Sequence, residues 1–216
     1  MKVEIEWAAS PNYGKGRNGK KIIAIVNHIT AGTFPGCLSW LRNPQAKASA
    51  HYLVTRQGKV YQLVRDEDTA WHAGVVNKPS WELYDGTNPN RYTLGIEFEC
   101  LSGGLLTDAQ YQAGLWLHRQ LITRHNIPID RDHIIGHYMI DAVNRPNDPG
   151  PKFPWERLLK DLKGSEEVPE WKQKIMDRAH SLGLIDKNMH KPDETASKWF
   201  VLGVILSLYD KLKGGK

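Results

Sequence analysis

Residues 21–28 read Lys-Ile-Ile-Ala-Ile-Val-Asn-His, an almost unbroken run of apolar, mostly β-branched side chains. A half-exposed strand would alternate polar and apolar residues, and this run does not. It is typical of a strand buried on both faces, in the interior of a sheet that other elements cover. The sequence therefore predicts a central strand with a histidine at its carboxyl end.

Shorter strand patterns occur at the N-terminus and after this run. Residues 1–7 alternate polar and apolar side chains. Four later segments carry apolar and β-branched residues between turn residues, namely 50–54, 59–64, 93–100 and 132–136. The Gln57-Gly58 turn between the first two of these segments indicates a hairpin.

Helix signals alternate with the strands. Thr107 begins a capping-box pattern, after which apolar residues recur at helical spacing until about Asn126. Shorter helices are predicted at residues 38–41 and 155–163. Because the strands are joined both by a hairpin and by helical crossovers, we predict an α/β fold with a mixed central β-sheet flanked by helices.

A polar linker, Gly-Ser-Glu-Glu-Val-Pro at residues 164–169, divides the chain. Helix patterns follow it, from about residue 169 to 183 and from about 196 to 211. We therefore predict a main domain at residues 1–164 and a small all-α module at 165–216. A module of about fifty residues buries little core of its own, so we expect it to dock, to bind a partner or to form a dimer through its helices.

Composition narrows the classes of protein. Hydrophobic residues make up 40% and charged residues 25%, which is typical of a soluble globular protein. The net charge of +5 favours anionic partners, but no motif predicts nucleic-acid binding. We expect no membrane span and, without a signal-peptide pattern, synthesis in the cytoplasm. The two cysteines, Cys37 and Cys100, allow one disulfide without requiring it.

Two histidines follow predicted strands, where a rigid backbone can direct the ring into a cleft. These are His28 and His137, and a catalytic zinc ion needs one further protein ligand and an open position. Asp148 lies in an Asn-Asp-Pro-Gly turn that would fix its carboxylate. The three residues predict a metal site. His133 remains an alternative ligand, although the Ile-rich sequence around it does not favour a helix that would pair it with His137.

Six short motifs then occur in a fixed order. They are Val26-Asn27-His28, Ser49-Ala50-His51-Tyr52, Trp71-His72-Ala73-Gly74, Gly95-Ile96-Glu97, Gly136-His137 and Asp148-Pro149-Gly150. Together they resemble the type 2 N-acetylmuramoyl-L-alanine amidases, a family that includes phage lysins, wall-recycling amidases and peptidoglycan recognition proteins. The resemblance covers roughly residues 20 to 160 and rests on the order of the motifs, since each is weak alone.

The resemblance implies a mixed-sheet fold and a zinc ion held by His28, His137 and Asp148. It implies bacterial peptidoglycan as the partner and hydrolysis of the amide between the lactyl group of N-acetylmuramic acid and L-alanine of the stem peptide. Glu97 stands where the family has its catalytic acid, so we expect it to act as the general base for a zinc-activated water. Glu99 lies on the same strand face and is expected to stay outside the chemistry.

The sequence departs from the family beside the third ligand. Many members place Lys two residues before it, where this chain has Pro146. The neighbouring Arg145 is the candidate for stabilising the oxyanion.

Four residues of the motifs are candidates for lining the substrate groove: His51, Tyr52, Trp71 and His72. Because alternate strand residues face opposite sides, only one of His51 and Tyr52 can face the cleft.

An amidase domain followed by a small C-terminal module is the layout of many lysins. The resemblance thus implies an endolysin or autolysin that acts on the cell wall after release from the cytoplasm, with residues 165–216 as a wall-binding or dimerisation element. The alternative is a non-catalytic peptidoglycan-recognition module, because some relatives keep the fold and lose the metal. The presence of all three ligands and of Glu97 favours an enzyme.

Overall fold

The computed structural model describes residues 3–164 and, further on, residues 174, 177–179, 181, 183, 203, 205, 206, 208, 210 and 212. The chain forms two compact units, Met1–Lys163 and Gly164–Lys216. The predicted domain boundary lies one residue later. In the second unit the described residues are helical except residues 164 and 183. Most of the two helices predicted there lie outside the described residues, and the role of this module stays a prediction.

The described part of the first unit contains eight strands and three α-helices. In chain order these are β1 (Ile5–Trp7), β2 (Tyr13–Gly14), β3 (Ala24–Ile29), α1 (Gly36–Leu41), β4 (Tyr52–Val54), β5 (Val60–Gln62), β6 (Thr69–Ala70), β7 (Thr93–Phe98), α2 (Asp108–His125), β8 (Ile134–Gly136) and α3 (Trp155–Lys163). Single turns of 3-10 helix occur at Pro44–Ala46, Pro89–Arg91 and His137–Met139.

The strands confirm the predicted mixed sheet. Six of them form one sheet in the order β1-β5-β4-β7-β3-β8, and β2 pairs with β6 separately. The β4–β5 hairpin is antiparallel, whereas β3 runs parallel to both β7 and β8. Parallel neighbours place their carboxyl ends at the same edge of the sheet, which is where the candidate site lies.

The central strand β3 is buried on both faces, as its sequence predicts. Ile25 packs into a cluster with the helices α2 and α3. Val26 points to the other face, into a cluster that includes Trp81 and Tyr92. The long loop between β6 and β7 thus covers this face of β3 with an aromatic pair whose rings stack 5.5 Å apart.

The longest helix, α2, begins at the predicted N-cap. The Thr107 side chain accepts a hydrogen bond from the backbone N–H of Gln110. Gln110 does not complete the capping box, because its side-chain amide donates to the carbonyls of Val54 and Glu99 instead. The first turn of α2 is therefore hydrogen-bonded to the carboxyl ends of β4 and β7.

Two further observations concern the cysteines and the membrane. Cys37 and Cys100 are buried free thiols, so the disulfide that the sequence allows is not formed.

Among the residues described, no helix has the length and apolar character needed to cross a bilayer.

Candidate active site

The site is built where three parallel strands end. In the β3–β7 register His28 lies opposite Glu97, and His137 follows the last residue of β8. The strands fix these three side chains at one edge of the sheet. Asp148 lies in the loop that follows the 3-10 turn at His137–Met139. Its backbone carbonyl accepts a hydrogen bond from the N–H of Tyr138.

The three predicted ligands come together. Asp148 Oδ2 lies 3.1 Å from His28 Nδ1 and 3.0 Å from His137 Nδ1. One ligand atom from each of the three residues lies within 4.8 Å of the others. Two imidazole nitrogens and a carboxylate oxygen converging in this way fit the donor set of catalytic zinc. The geometry therefore fits a zinc ion, and the role of these residues as ligands remains a prediction.

Charge at this cluster is concentrated on Asp148. Burial would raise the pKa of Asp148, but the two histidines outweigh it and hold the pKa well below its usual value. Burial lowers the pKa of His28, and the charge and hydrogen bond of Asp148 reverse that effect and raise it. For His137 burial prevails and the pKa is lowered. The carboxylate is therefore ionised and faces the ring nitrogens.

Glu97 lines the same cleft without a hydrogen-bond partner. Its Oε2 atom is buried, and no group in the described part of the chain bonds to it. Burial raises the pKa of Glu97; His28 and Arg145 lower it, and Asp148 raises it further. A carboxyl group whose proton affinity is raised beside the candidate metal site can exchange a proton with a reacting group.

Glu99 has a different position from Glu97 although the two share a strand face. Its side chain is buried, and its two oxygens accept hydrogen bonds from the N–H groups of Phe34 and Arg56 at 3.0 and 2.8 Å. Glu99 therefore connects two loops and is saturated by backbone donors, which agrees with the expectation that it stays outside the chemistry.

The cluster opens into a cleft of about 810 Å³. Arg145 and Pro146 line the cleft on the side of Asp148. Trp71 and Trp40 line it as well and are 39% and 57% exposed. Trp40 is not among the residues that the sequence motifs indicate. Its position on the short helix α1 places a second indole at the cleft.

Two predicted groove residues do not reach the cleft, and this corrects the prediction that they bind substrate. His51 is fully buried, and its Nδ1 accepts from the N–H of Gly95 at 3.0 Å. Burial, assisted by the charge of Arg17, lowers the pKa of His51 to about 3. The Tyr52 hydroxyl donates to Asp66 at 2.6 Å inside the protein. The two side chains lie in different interior surroundings, His51 beside Arg17 and His72, and Tyr52 in the cluster that packs against α2.

The structure also places the two remaining histidine candidates, His133 and His72. His133 Nδ1 lies 2.7 Å from Asp130, and His133 is not part of the ligand cluster. His72 lines the cleft, but its ring is buried and turned toward His28. Trp71, the preceding residue, is the member of this motif that presents a broad exposed surface.

The chain is similar to known proteins over most of this unit. A sequence model of the family described as N-acetylmuramoyl-L-alanine amidase matches residues 18–151. N-acetylmuramoyl-L-alanine amidase A of Achromobacter lyticus is 29% identical over 181 residues, covering 75% of this chain and 94% of the relative. The 1,6-anhydro-N-acetylmuramyl-L-alanine amidase AmpD of Salmonella typhimurium is 40% identical over 177 residues, covering 72% of this chain and 89% of the relative.

A solved structure shares the fold. The N-acetylmuramyl-L-alanine amidase AmiD from E. coli, in complex with the substrate anhydro-N-acetylmuramic acid-L-Ala-D-gamma-Glu-L-Lys, matches with a TM-score of 0.58 and 28% identity. The match covers 87% of this chain and 76% of AmiD.

Proposed function

The chain belongs to the N-acetylmuramoyl-L-alanine amidase family, and from this membership we propose that it is a zinc-dependent peptidoglycan amidase. The bond cleaved is the amide between the lactyl group of N-acetylmuramic acid and L-alanine of the stem peptide. The observation that carries the proposal is the cluster of His28, His137 and Asp148 beside the unpaired carboxyl of Glu97 in an open cleft.

His28, His137 and Asp148 would hold the zinc ion. Zinc bound there would act as a Lewis acid that polarises the scissile carbonyl and makes a nearby water molecule more acidic. Asp148 is fixed for this task, because its Oδ1 accepts the N–H of Ile29 at 2.8 Å while Oδ2 faces both rings. The ligand set is thereby arranged by the fold itself.

Glu97 is the group that moves the proton. As a carboxylate it takes a proton from the attacking water, and as an acid it delivers that proton to the nitrogen of the leaving L-alanine. Its raised pKa lets it hold the proton between the two steps. No other carboxylate among the described residues that line the cleft has an unpaired buried oxygen.

Arg145 and the two tryptophans would place the substrate. Arg145 lines the cleft beside Asp148, where its positive charge can stabilise the negative charge that develops on the carbonyl oxygen. Trp71 and Trp40 offer exposed indole faces for the apolar faces of sugar or peptide. These roles complete a site for a muramyl peptide.

We also propose that the protein is an endolysin or autolysin, made in the cytoplasm and active on the wall after release. The second unit after residue 163 and the net charge of +5 support a protein that stays on an anionic wall polymer. The 40% identity to an amidase named for 1,6-anhydro-N-acetylmuramyl-L-alanine favours a second candidate, an enzyme for soluble anhydromuropeptides.

The test compares two substrates for the zinc-loaded full chain. Intact peptidoglycan sacculi and a soluble anhydromuramyl tripeptide are digested in parallel, and products are identified by mass spectrometry. Rapid release of stem peptides beginning with L-alanine from sacculi supports the endolysin or autolysin. Cleavage of the soluble compound alone supports the second candidate, and cleavage of neither overturns the amidase proposal.

A further inference from the structure

The ring of His72 lies against His28, one of the three candidate metal ligands. Its Nδ1 lies 3.1 Å from Nε2 of His28, and its Nε2 lies 3.3 Å from the hydroxyl of Thr93. His28, His72 and Thr93 are all buried. The three side chains form a chain of hydrogen bonds that leads from the candidate metal site to Thr93 in the protein interior.

The hydrogens in this chain can be assigned from its far end. The Thr93 hydroxyl lies 2.8 Å from the carbonyl oxygen of Pro89, which can only accept. The single hydroxyl hydrogen of Thr93 is therefore used on Pro89. The Thr93 oxygen then accepts from His72, which places the His72 ring hydrogen on Nε2.

The assignment continues through His72 to His28. A neutral imidazole carries one N–H, and the two ring nitrogens of His72 face the Thr93 hydroxyl and His28. With that hydrogen on Nε2, His72 Nδ1 is an acceptor and His28 Nε2–H must donate to it. The nitrogen of His28 that remains for a cation is Nδ1, the atom 3.1 Å from Asp148.

We propose that His72, held by Thr93 and the Pro89 carbonyl, is a positioning residue that fixes the ring and the tautomer of His28 for metal binding. The proposal rests on the zinc site described above. Metal-bound histidines commonly donate their second N–H to a carboxylate, carbonyl or water. Here a neutral imidazole is the acceptor, and its own orientation is set by the hydrogen bonds behind it.

The backbone holds His72 in this position from two sides. The side-chain oxygen of Asn90 accepts the N–H groups of His72 and Ala73 at 3.1 and 2.7 Å. On the other side the ring lies against Gly95, where an added Cβ would be 2.5 Å from His72 Cγ. Asn90 of the long loop thus holds the backbone of His72, and the missing side chain of Gly95 leaves room for its ring.

Zinc affinity, measured by competition with a chromophoric chelator, tests the proposal. His72→Phe keeps the ring volume but removes the acceptor, and we expect zinc to bind about 10- to 100-fold more weakly, the usual effect of such supporting residues. His72→Asn returns an acceptor oxygen near the position of Nδ1 and is expected to recover most of the affinity. Thr93→Val removes the hydroxyl with little change of shape and is expected to weaken binding in the same direction.

His118→Phe is the matched control, since it replaces another fully buried histidine that is not part of the ligand cluster. It should leave zinc affinity unchanged. Nitrogen-15 NMR of the zinc-loaded full chain reads the tautomer directly and should place the His28 hydrogen on Nε2. Unchanged zinc affinity in both His72→Phe and Thr93→Val, equal weakening by Phe and Asn, or a hydrogen on His28 Nδ1 would overturn the proposal.

These measurements do not depend on hydrolysis. If His72→Phe does not fold, Thr93→Val and the NMR assignment still decide the question. A chain with the expected affinities and tautomer that leaves peptidoglycan uncut would overturn the amidase proposal alone. A chain that cuts peptidoglycan while His72→Phe and Thr93→Val bind zinc normally would overturn the positioning role alone.

Discussion

Asp148 is the residue on which the geometry of the site depends most. One of its oxygens faces both His28 and His137, and the other accepts the N–H of Ile29 at the end of β3. The carboxylate therefore bridges the ends of two strands. Its position in a turn with Pro149 and Gly150 leaves the side chain few alternative directions.

Glu97 and the metal ligands can be separated by substitution. Glu97→Gln keeps the shape of the side chain but cannot carry the proton, so we expect the rate of amide hydrolysis to fall by about 100- to 10,000-fold. Zinc content should remain near that of the native chain, because Glu97 is not one of the converging ligand atoms. The measurements are initial rates on a soluble muropeptide and metal analysis of the same sample. Native activity in Glu97→Gln would remove this residue from the mechanism.

Gly95 offers a test of packing at a single residue. In Gly95→Ala the new Cβ would lie 2.5 Å from His72 Cγ, so the ring must move. We expect the free energy of unfolding to fall by about 1–3 kcal/mol, the usual cost of overpacking, and zinc to bind more weakly. Denaturant unfolding and chelator competition measure the two effects.

Gly14→Ala is the control for that substitution. Its Cβ would meet Thr69 at 3.8 Å, an ordinary contact, and it lies in the separate β2–β6 pair. Equal stability losses in the two variants would show that crowding against His72 is not the cause.

At the scale of elements, the parallel strands β3, β7 and β8 determine where the chemistry-bearing side chains meet. The register of β3 with β7 sets His28 against Glu97, and β8 pairs with β3 as far as Gly136, one residue before His137. Helix α2 packs on one face of this sheet and carries a fully buried histidine, His118. The same helix therefore supplies core packing and a titratable group that must stay neutral.

His118 predicts an acid sensitivity of the fold. Burial lowers the pKa of His118 from 6.5 to about 4, so the unfolded chain binds its proton first. The stability is complete above the unfolded pKa and is lost as pH falls toward 4, by about 3 kcal/mol for this group. Urea unfolding of the native chain and of His118→Phe between pH 7 and pH 4 should show a smaller loss in the variant. Parallel pH profiles would contradict the lowered pKa.

At the scale of the whole molecule, the chain combines a unit with the candidate site and a second unit after Lys163. In the second unit the described residues Ile205, Leu206, Leu208 and Leu212 are exposed apolar side chains. Exposed apolar patches often mark interaction sites, and that this unit binds a partner or forms a dimer stays a prediction.

Truncation after residue 163 separates these roles. The shortened chain keeps the described core and the cleft, so it should cleave a soluble muropeptide at close to the native rate. If the second unit binds the wall, the shortened chain should no longer sediment with insoluble peptidoglycan. Light scattering of both chains tests dimerisation, and undiminished sedimentation of the shortened chain would exclude a wall-binding role for the second unit.

The sequence predicts much of this site because strand ends are readable from apolar runs. His28 ends such a run, His137 follows one and Glu97 lies near the end of another, and their convergence follows from parallel pairing. The sequence does not show which face of the sheet borders the cleft. Alternation divides the strand residues between two faces but does not identify the face that borders the cleft. Alternation therefore predicts that only one of His51 and Tyr52 can face the cleft, and in the structure neither lines it.

Two other features required the folded chain. Trp40 reaches the cleft from a short helix whose direction depends on tertiary packing. The contact of His72 with Thr93 joins two segments on either side of a long loop, and no local pattern connects them. In both cases a side chain of ordinary local appearance acquires its role only from its neighbours in space.

Hydrolysis of peptidoglycan in water labelled with oxygen-18 tests the central claim most directly. An amidase of the proposed kind transfers one labelled oxygen to the lactyl carboxylate of N-acetylmuramic acid and releases unlabelled stem peptides with a free L-alanine amine. Mass spectrometry should find that pattern with the glycan strands intact. Label at a reducing sugar end or on a peptide carboxylate would show that a different bond is cut and would contradict the account.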